Sequence, residues 1–462
     1  MPDRIGLYHR LPYPLRCLAA SARGYQLRKW RFGPETEILV ERAGEREAWA
    51  PERWKVWQEE QLAHLLSRAA TRVPYYCKLW TERRRRGDKR SWEQLENWPI
   101  LGKDALRSDP AAFVADDRRT EAMFLVHTSG TTGTPLQLWR SRATDRQWYA
   151  LFEARNLNWN GVSRRDRWAM LGGQLVAPVE DVGPPYWVRN LSMNQLYASS
   201  YHLGPNSVAA YLKALSRFHP EFMWGYASSM HALAQLALEA GLEAPSVSVA
   251  ISNAEPLFDH QRKAIGSAFG CAVRNTYGMA EIVSAASECD QGVLHLWPEV
   301  GVTEIIDDAM DETVEPGKTG RLVCTGLLNG DMPLIRYEVG DRGALEEPSN
   351  RCACGRTLPS LRAIEGRSDD VLLTLDGRRI GGLNSVFKVE VPVKEAQIIQ
   401  ESLERIKVLV VPATGFGDKD AGEIVDSLRR RLGDVDVRVE AVGSIPRSAG
   451  GKFRAVINEL TR

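Results

Sequence analysis

The sequence is short of charge of either sign in excess: 60 Lys and Arg face 59 Asp and Glu, a formal net charge of +1. A protein whose main partner is nucleic acid or an acidic membrane carries a clear basic surplus, so neither is expected here. There is no apolar run long enough to span a bilayer, which excludes a transmembrane helix. The short apolar piece around Leu15 to Ala22 is interrupted by Arg16 and flanked by Arg23. A signal peptide needs an unbroken apolar region, so a cytoplasmic protein is expected. Tyr8, Leu11, Tyr13, Leu15, Leu18 and Tyr25 stand among arginines at this end; packing onto the main domain is the expectation for them, with a weak peripheral membrane or partner contact as the alternative. Seven cysteines in 462 residues do not make a disulfide framework. No internal repeat or low-complexity tract is visible, which excludes a solenoid.

What is there centres on Val126 to Leu138, VHTSGTTGTPLQL. Thr128, Ser129, Thr131, Thr132 and Thr134 alternate with Gly130 and Gly133. Glycines let a backbone turn sharply and approach a ligand, and successive N–H groups and hydroxyls then face an anion. No Gly-Lys-Ser/Thr follows, so this is not the Walker phosphate loop. A Ser/Thr/Gly surface turn is the alternative. Met123 to Val126 precede the loop as a buried strand would.

A chain of this length needs more than one core. Trp54, Trp57, Leu62, Leu65, Leu66 and Ala69 recur at helical spacing, predicting a helix over Pro51 to Arg72 that Val73-Pro74 ends. Trp92 to Leu106 reads as a helix, a turn at Pro99 and a second short helix. Thr144–Asn156, Asn206–Phe218, Met230–Ala240 and Asp259–Phe269 read as helices. They alternate with strands at Arg167–Gly172, Gln195–Leu203, Phe222–Trp224, Val247–Ser252 and Ala272–Tyr277. This alternation predicts an α/β domain with parallel sheet. From about Val293 short strands dominate (Leu294–Trp297, Val302–Ile306, Gly320–Thr325, Leu334–Tyr337), a β-rich subdomain. From about Gly366 a small α+β unit is expected, with a hairpin at Asp376-Gly377-Arg378, a strand at Ile406–Val411, a helix at Gly422–Leu432 and a strand at Val435–Val442.

Polar clusters stand at the strand ends: Ser252-Asn253-Ala254-Glu255-Pro256, Tyr277-Gly278-Met279-Ala280-Glu281, Gly340-Asp341-Arg342, Gly366-Arg367-Ser368-Asp369, and Pro446 to Lys452 (PRSAGGK). Each alone is weak. Several such clusters in an open α/β sheet mark a ligand crevice. Their order, after the Thr/Gly loop, resembles the adenylate-forming superfamily of acyl-CoA synthetases, peptide-synthetase adenylation domains and luciferases, over nearly the whole chain. The LPYPLR, VPYY, LGKDALR and CACGRTLP segments resemble its branch with phenylacetate–CoA ligase and the capsule-cluster homologues.

The resemblance implies a large N-terminal domain (1–366) that binds ATP and a carboxylate, and a small mobile C-terminal domain (367–462) with the catalytic lysine. It implies that Ser129, Gly130, Thr131, Thr132 and Gly133, with Thr128 beside them, hold the β- and γ-phosphates of ATP. Ala254, Glu255 and Pro256 would line the adenine site, with Tyr277 against the base and Gly278 beside it. Glu281 would ligate Mg²⁺. Asp341, assisted by Arg367, would bind the ribose hydroxyls, Asp369 would be the hinge, and Lys452 would serve adenylation. Gly377 would approach the acceptor site in the second step. Thr134 stands where many members have lysine, and Ala280 where many have threonine or serine.

Cys289, His295, Cys352 and Cys354 offer three thiolates and an imidazole, a set suited to tetrahedral structural Zn²⁺, with buried free cysteines as the alternative. Trp148, Tyr149, Phe152, Tyr201, His202, Trp224, Tyr226 and Met279 are candidate walls of the carboxylate pocket, or simply core. The expected activity is acyl-adenylate formation followed by transfer to CoA, with an aryl or small acid. An amine, sugar or carrier protein is the alternative acceptor, and a nucleotide-binding protein without catalysis is the reading from another class. The oligomeric state is left open, a homodimer included.

Overall fold

The computed structural model describes residues 4–128, 136–367, 372–375, 379–380, 391–447 and 453–460. Helices open the chain: α1 (Arg4–His9), α2 (Tyr13–Arg31), α3 (Thr36–Arg46), α4 (Pro51–Arg72) and α5 (Pro74–Arg85). The predicted Pro51–Arg72 helix is present and buries Trp54, Leu65, Leu66 and Ala69. Pro74 ends it and also starts α5, because a proline lacks the N–H that the first helical turn leaves unused. The predicted helix from Trp92 is only a 3₁₀ turn, Leu95–Asn97, before α6 (Lys103–Ser108). Side chains capture the backbone there: Asn97 Nδ2 donates to Ser91 O at 2.8 Å and Trp98 Nε1 to Trp92 O at 2.7 Å.

The segment before the Thr/Gly loop is not a buried strand. β1 (Phe124–His127) pairs only with β2 (Gln137–Arg140), Val126 opposite Leu138, and its residues alternate between half-buried and exposed. A two-stranded ribbon covers one face only. α7 (Arg142–Phe152) runs on into a π-turn over Glu153–Leu157. There Arg155, fully buried, holds Glu299 by two bonds of 2.7 Å.

The α/β layer contains the predicted strands and one edge strand, Trp187–Asn190, that was not expected from the sequence. Strands β3 (Trp168–Gly172), β4 (Trp187–Asn190), β5 (Gln195–Ser199), β6 (Phe222–Tyr226), β7 (Val249–Asn253) and β8 (Ala272–Arg274) form one sheet in the order β4-β5-β3-β6-β7-β8. All pairs are parallel except β4 with β5. Helices α8 (Val208–Phe218), α9 (Ala227–Glu239) and α10 (Asp259–Phe269) pack on it, burying Tyr211, Leu215, Met230, Leu233, Ile265 and Phe269 with Leu171, Met223 and Ala250.

The predicted strand Ala272–Tyr277 breaks at Asn275, whose N–H donates to Glu288 Oε2 at 2.6 Å. Its second half, β9 (Thr276–Gly278), joins a different, antiparallel sheet. That sheet contains β10 (Ala285–Glu288), β11 (Leu294–Leu296), β12 (Gly301–Ile306), β13 (Gly320–Gly326), β14 (Tyr337–Leu345) and β15 (Ser360–Arg367) in the order β12-β13-β14-β15-β11-β10-β9. The strand expected at Leu334–Tyr337 begins at Tyr337 and runs to Leu345. Asp341 therefore lies within a strand, with Arg367 as its cross-strand Cα partner.

In the C-terminal part, β16 (Leu372–Leu373) and β17 (Arg379–Ile380) pair antiparallel. The hairpin tip Asp376 to Arg378 lies outside the described residues. β18 (Val393–Gln400), β19 (Arg405–Pro412), α11 (Asp418–Leu432), β20 (Asp436–Ala441) and β21 (Val456–Asn458) build a four-stranded sheet, β20-β19-β18-β21, with α11 packed through Ile424 and Leu428. β18 and β21 were not expected from the sequence. No described helix is long and apolar enough to cross a membrane.

Candidate active site and metal cluster

The carboxyl ends of β6 and β7 and the strands β9 and β14 border one cavity of about 2270 Å³. Among the residues lining it are Thr128, Ala254, Glu255, Pro256, Tyr277, Gly278, Glu281 and Asp341, so positions spread over more than 200 residues converge. Among the described residues, three of the six non-glycine residues with positive φ lie in this set or beside it and its hydrogen-bond partner Tyr337: Ala254 (61°), Ile282 (47°) and Arg336 (46°). They precede Glu255, follow Glu281 and precede Tyr337. Such conformations cost free energy and persist where the surroundings impose them.

Each acidic side chain is held by a specific donor. Tyr277 Oη donates to Asp341 Oδ2 at 2.8 Å. Burial, reinforced by the Asp341 charge, pushes the Tyr277 phenol well above its ordinary value, so it remains a donor. Tyr337 Oη donates to Glu281 Oε1 at 2.9 Å. Arg140, packed against Asp145 at 3.5 Å, donates to the carbonyl of Ala280 and braces the turn that carries Glu281. The Thr128 hydroxyl accepts the Leu136 N–H at 2.9 Å and closes the neck of the Thr/Gly loop.

Glu255 is more than a wall. The left-handed Ala254 turns its side chain beneath the start of α9, where Oε2 accepts the Ser228 N–H at 2.9 Å. Its Oε1 accepts the N–H of Phe453, from the C-terminal part, at 2.7 Å. Burial raises the Glu255 carboxyl above its usual range, against the pull of these two N–H donors. A second contact between the same parts joins Lys394 to Glu239 at 2.7 Å.

Ser129, Gly130, Thr131, Thr132, Gly133, Thr134, Asp369, Gly377 and Lys452 lie outside the described residues, and of Arg367 only the backbone is described. Of the candidate carboxylate walls, Trp148, Tyr149, Phe152, Trp224, Tyr226 and Met279 line the cavity. Phe152 and Trp224 meet at 4.6 Å between ring centroids. Tyr201 and His202 are not among the lining residues. His202 is tied to Ser199 Oγ at 2.9 Å and Pro178 O at 2.8 Å and stacks on Tyr186, a structural role. Sequence reasoning missed the contribution of α2, whose Ala19, Ala20 and Leu27 also line the cavity.

The second constellation gathers as well. The ligand atoms of Cys289, His295, Cys352 and Cys354 all lie within 4.8 Å of one another. Cys289 Sγ and Cys352 Sγ are 3.7 Å apart, and Cys354 Sγ is 3.3 Å from His295 Nε2. A tetrahedral zinc site with Zn–S of about 2.3 Å and Zn–N of about 2.0 Å requires edges of roughly 3.8 and 3.5 Å. These two edges fit Zn²⁺, and the Cys289–Cys352 separation is too long for a disulfide. His295 Nδ1 lies 3.2 Å from Leu358 O, an arrangement that turns Nε2 to the sulfurs. Burial pushes the His295 ring below its ordinary value, which favours the neutral, ligating form.

Comparison with known proteins places this geometry. Residues 372–459 match the CapK C-terminal domain. Protein CapK from Staphylococcus aureus is 26% identical over 395 residues, covering 84% of this chain and 85% of the relative. The phenylacetate-coenzyme A ligase of Thermus thermophilus is 27% identical over 457 residues, covering 88% of this chain and 97% of the relative. The crystal structure of 2-hydroxyisobutyryl-CoA ligase in the postadenylation state, in complex with 2-HIB-AMP, superposes with a TM-score of 0.69 at 23% identity, covering 90% of this chain and 91% of that one. Protein CapK and the phenylacetate-coenzyme A ligases are homologues of this chain, its fold is that of the adenylate-forming CoA ligases, and residues 372–459 form a CapK C-terminal domain.

Proposed function

We propose that this chain is an ATP-dependent, AMP-forming carboxylate ligase that makes an acyl-adenylate and pyrophosphate, then passes the acyl group to CoA. The observation that carries this is the convergence of Asp341 and Glu281, each held by a tyrosine hydroxyl, on one cavity beside Glu255. In the first step a carboxylate oxygen attacks the α-phosphorus, and pyrophosphate leaves with the bonding pair. In the second the CoA thiol, giving its proton to solvent, attacks the acyl carbon, and AMP leaves with the bonding pair. The acid is already ionised at neutral pH, so no general base is needed for the first step.

The residue roles follow the same proposal. Thr128 to Gly133 cradle the β- and γ-phosphates. Ala254, Pro256, Tyr277 and Gly278 border the base, and Asp341 with Arg367 receives the ribose. Lys452, on the mobile domain from about residue 367 with its hinge at Asp369, supplies a point charge to the carboxylate and α-phosphate oxygens. One fixed carboxylate in a wide cavity suits Mg²⁺, which keeps several waters and neutralises phosphate charge when bound; Glu281 would hold it. Structural Zn²⁺ at Cys289, His295, Cys352 and Cys354 would pin the β14–β15 connection to β10 and β11. The aromatic wall of Trp148, Phe152 and Trp224 suits a flat or small acid.

The test is pyrophosphate release over a panel of carboxylic acids, with CoA, amines, sugars and no acceptor compared. Acid-dependent ATP–pyrophosphate exchange, with turnover raised by CoA, is expected. Exchange that does not depend on the acid, or no exchange with any acid, overturns the proposal.

Glu255 has a distinct expected effect in this scheme. Its two carboxylate oxygens accept one N–H from each part of the chain, and Phe453 follows Lys452 in sequence. Glutamine offers one acceptor and turns an NH₂ on the other donor. Glu255→Gln is expected to slow pyrophosphate exchange about 10-fold to 100-fold. Because burial raises this carboxyl, wild-type exchange falls with acid at a higher pH than an ordinary carboxylate would impose. The glutamine variant loses that acid limb. A pH profile of exchange measures both, and an unchanged limb in the variant assigns it to another group.

A further inference from the structure

The balanced total charge hides one uneven segment. Residues 4–34 carry six arginines and one lysine and no aspartate or glutamate. Within this segment α2 sets mostly small and polar residues against the protein and leaves two leucines and a tyrosine outside. Arg16, Ser21 and Gly24 face the protein. Leu15, Leu18 and Tyr25 face solvent, 47%, 64% and 52% exposed. With Ala22, also exposed, they follow i, i+3, i+7, i+10, one stripe along a helix of 19 residues, about 28 Å long.

The polar inner side has its partners. Arg16 donates to Val176 O at 3.4 Å, and Ser21 Oγ donates to Cys17 O at 2.8 Å and accepts the Leu191 N–H at 3.0 Å. Gly24 packs directly on Asn190: a Cβ there would stand 2.1 Å from the Asn190 side chain, which would have to move. The outward stripe is therefore imposed by specific contacts on the other face. Leu7 of α1 and Leu191, beside Ser21, are exposed too, at 68% and 74%. Arg10, Arg28 and Lys29 are exposed among them.

A solvent-facing apolar stripe flanked by arginine and lysine is unfavourable in water and matches the headgroup boundary of an anionic bilayer, where the rings and leucines enter and the cations stay at the surface. The inner side of α2 lines the large cavity through Ala19, Ala20 and Leu27. We infer that the α1–α2 face docks on an anionic phospholipid surface, with α2 lying in the interface and the cavity directly behind it. This goes beyond the ligase proposal and does not depend on it.

Co-sedimentation of the full chain with phosphatidylcholine vesicles, with and without an equal part of phosphatidylglycerol, tests it. Binding to the anionic vesicles is expected to be at least about tenfold stronger than to the neutral ones, and to weaken between ~0.05 and ~0.5 M salt. Leu15→Asp with Leu18→Asp is expected to weaken anionic-vesicle binding at least about tenfold, with an unchanged circular dichroism spectrum and melting curve. Arg10→Glu with Lys29→Glu is expected to remove most of the salt dependence. Failure to bind anionic vesicles at low salt, equal binding to neutral vesicles, or aspartate variants that bind like wild type would overturn the inference. So would a concentration-dependent dimer that the same aspartates dissociate, which would give this face to a second copy.

Discussion

Lys452→Ala is expected to lower acid-dependent ATP–pyrophosphate exchange by at least about 10²-fold, while acyl transfer to CoA from a supplied acyl-adenylate stays within a few-fold of wild type. The asymmetry follows from charge. In the adenylation step, negative charge gathers on the α-phosphoryl oxygens, and a preorganised cation there stabilises the transition state more than the ground state. In the proposed scheme AMP leaves from an acyl carbon in the transfer step, and a lysine that a domain rotation would withdraw would make no contribution. The bond from Phe453 N–H to Glu255 places the residue after Lys452 at the border of the cavity, in support of this role. Measuring both half-reactions on the same preparation is decisive. Equal losses in the two would remove Lys452 from the adenylation step and leave the ligase assignment to the acid panel.

Breaking the proposed zinc site at Cys289, His295, Cys352 and Cys354 is expected to have the next largest effect, on stability rather than chemistry. Protein purified without chelator should contain about one zinc per chain. Cys354→Ser should abolish stoichiometric zinc and lower the melting temperature by several degrees, since a structural zinc contributes several kcal/mol to folding. The four ligand atoms come from β11, the end of β10 and the β14–β15 connection. Their loss would free that connection from the sheet. Cys271→Ser, away from the cluster, is the control and should keep its zinc. Zinc-free wild-type protein, or a Cys354→Ser variant with full zinc content, would rule the assignment out.

These two predictions rest on different kinds of legibility. The Tyr-Gly-Met-Ala-Glu turn was readable as part of a ligand crevice because it is a local pattern with local chemistry, whereas the Thr/Gly loop and the lysine segment lie outside the described residues. The helices α4, α8, α9 and α10 were readable for the same reason, since helical periodicity is written within one element. The strand break at Asn275 was not, because it depends on a bond to Glu288 that only the neighbouring sheet supplies. The helix misread near Trp92 failed because the Asn97 and Trp98 side chains compete for the backbone.

By itself the sequence determined the alternation of helices and strands, the order of the polar clusters and the residue types available for phosphate, metal and carboxylate chemistry. Only the tertiary structure decided which of them meet. It set Asp341 opposite Arg367, closed four cysteine and histidine ligands within 4.8 Å, and turned Glu255 from a pocket wall into a bridge to Phe453. It also turned the apolar stripe of α2 outward, where packing onto the main domain had been expected to cover it. The physical reason is range. Periodicity and turn chemistry act over a few residues, whereas sheet register, burial and the partners of a buried polar group are fixed by segments hundreds of residues apart.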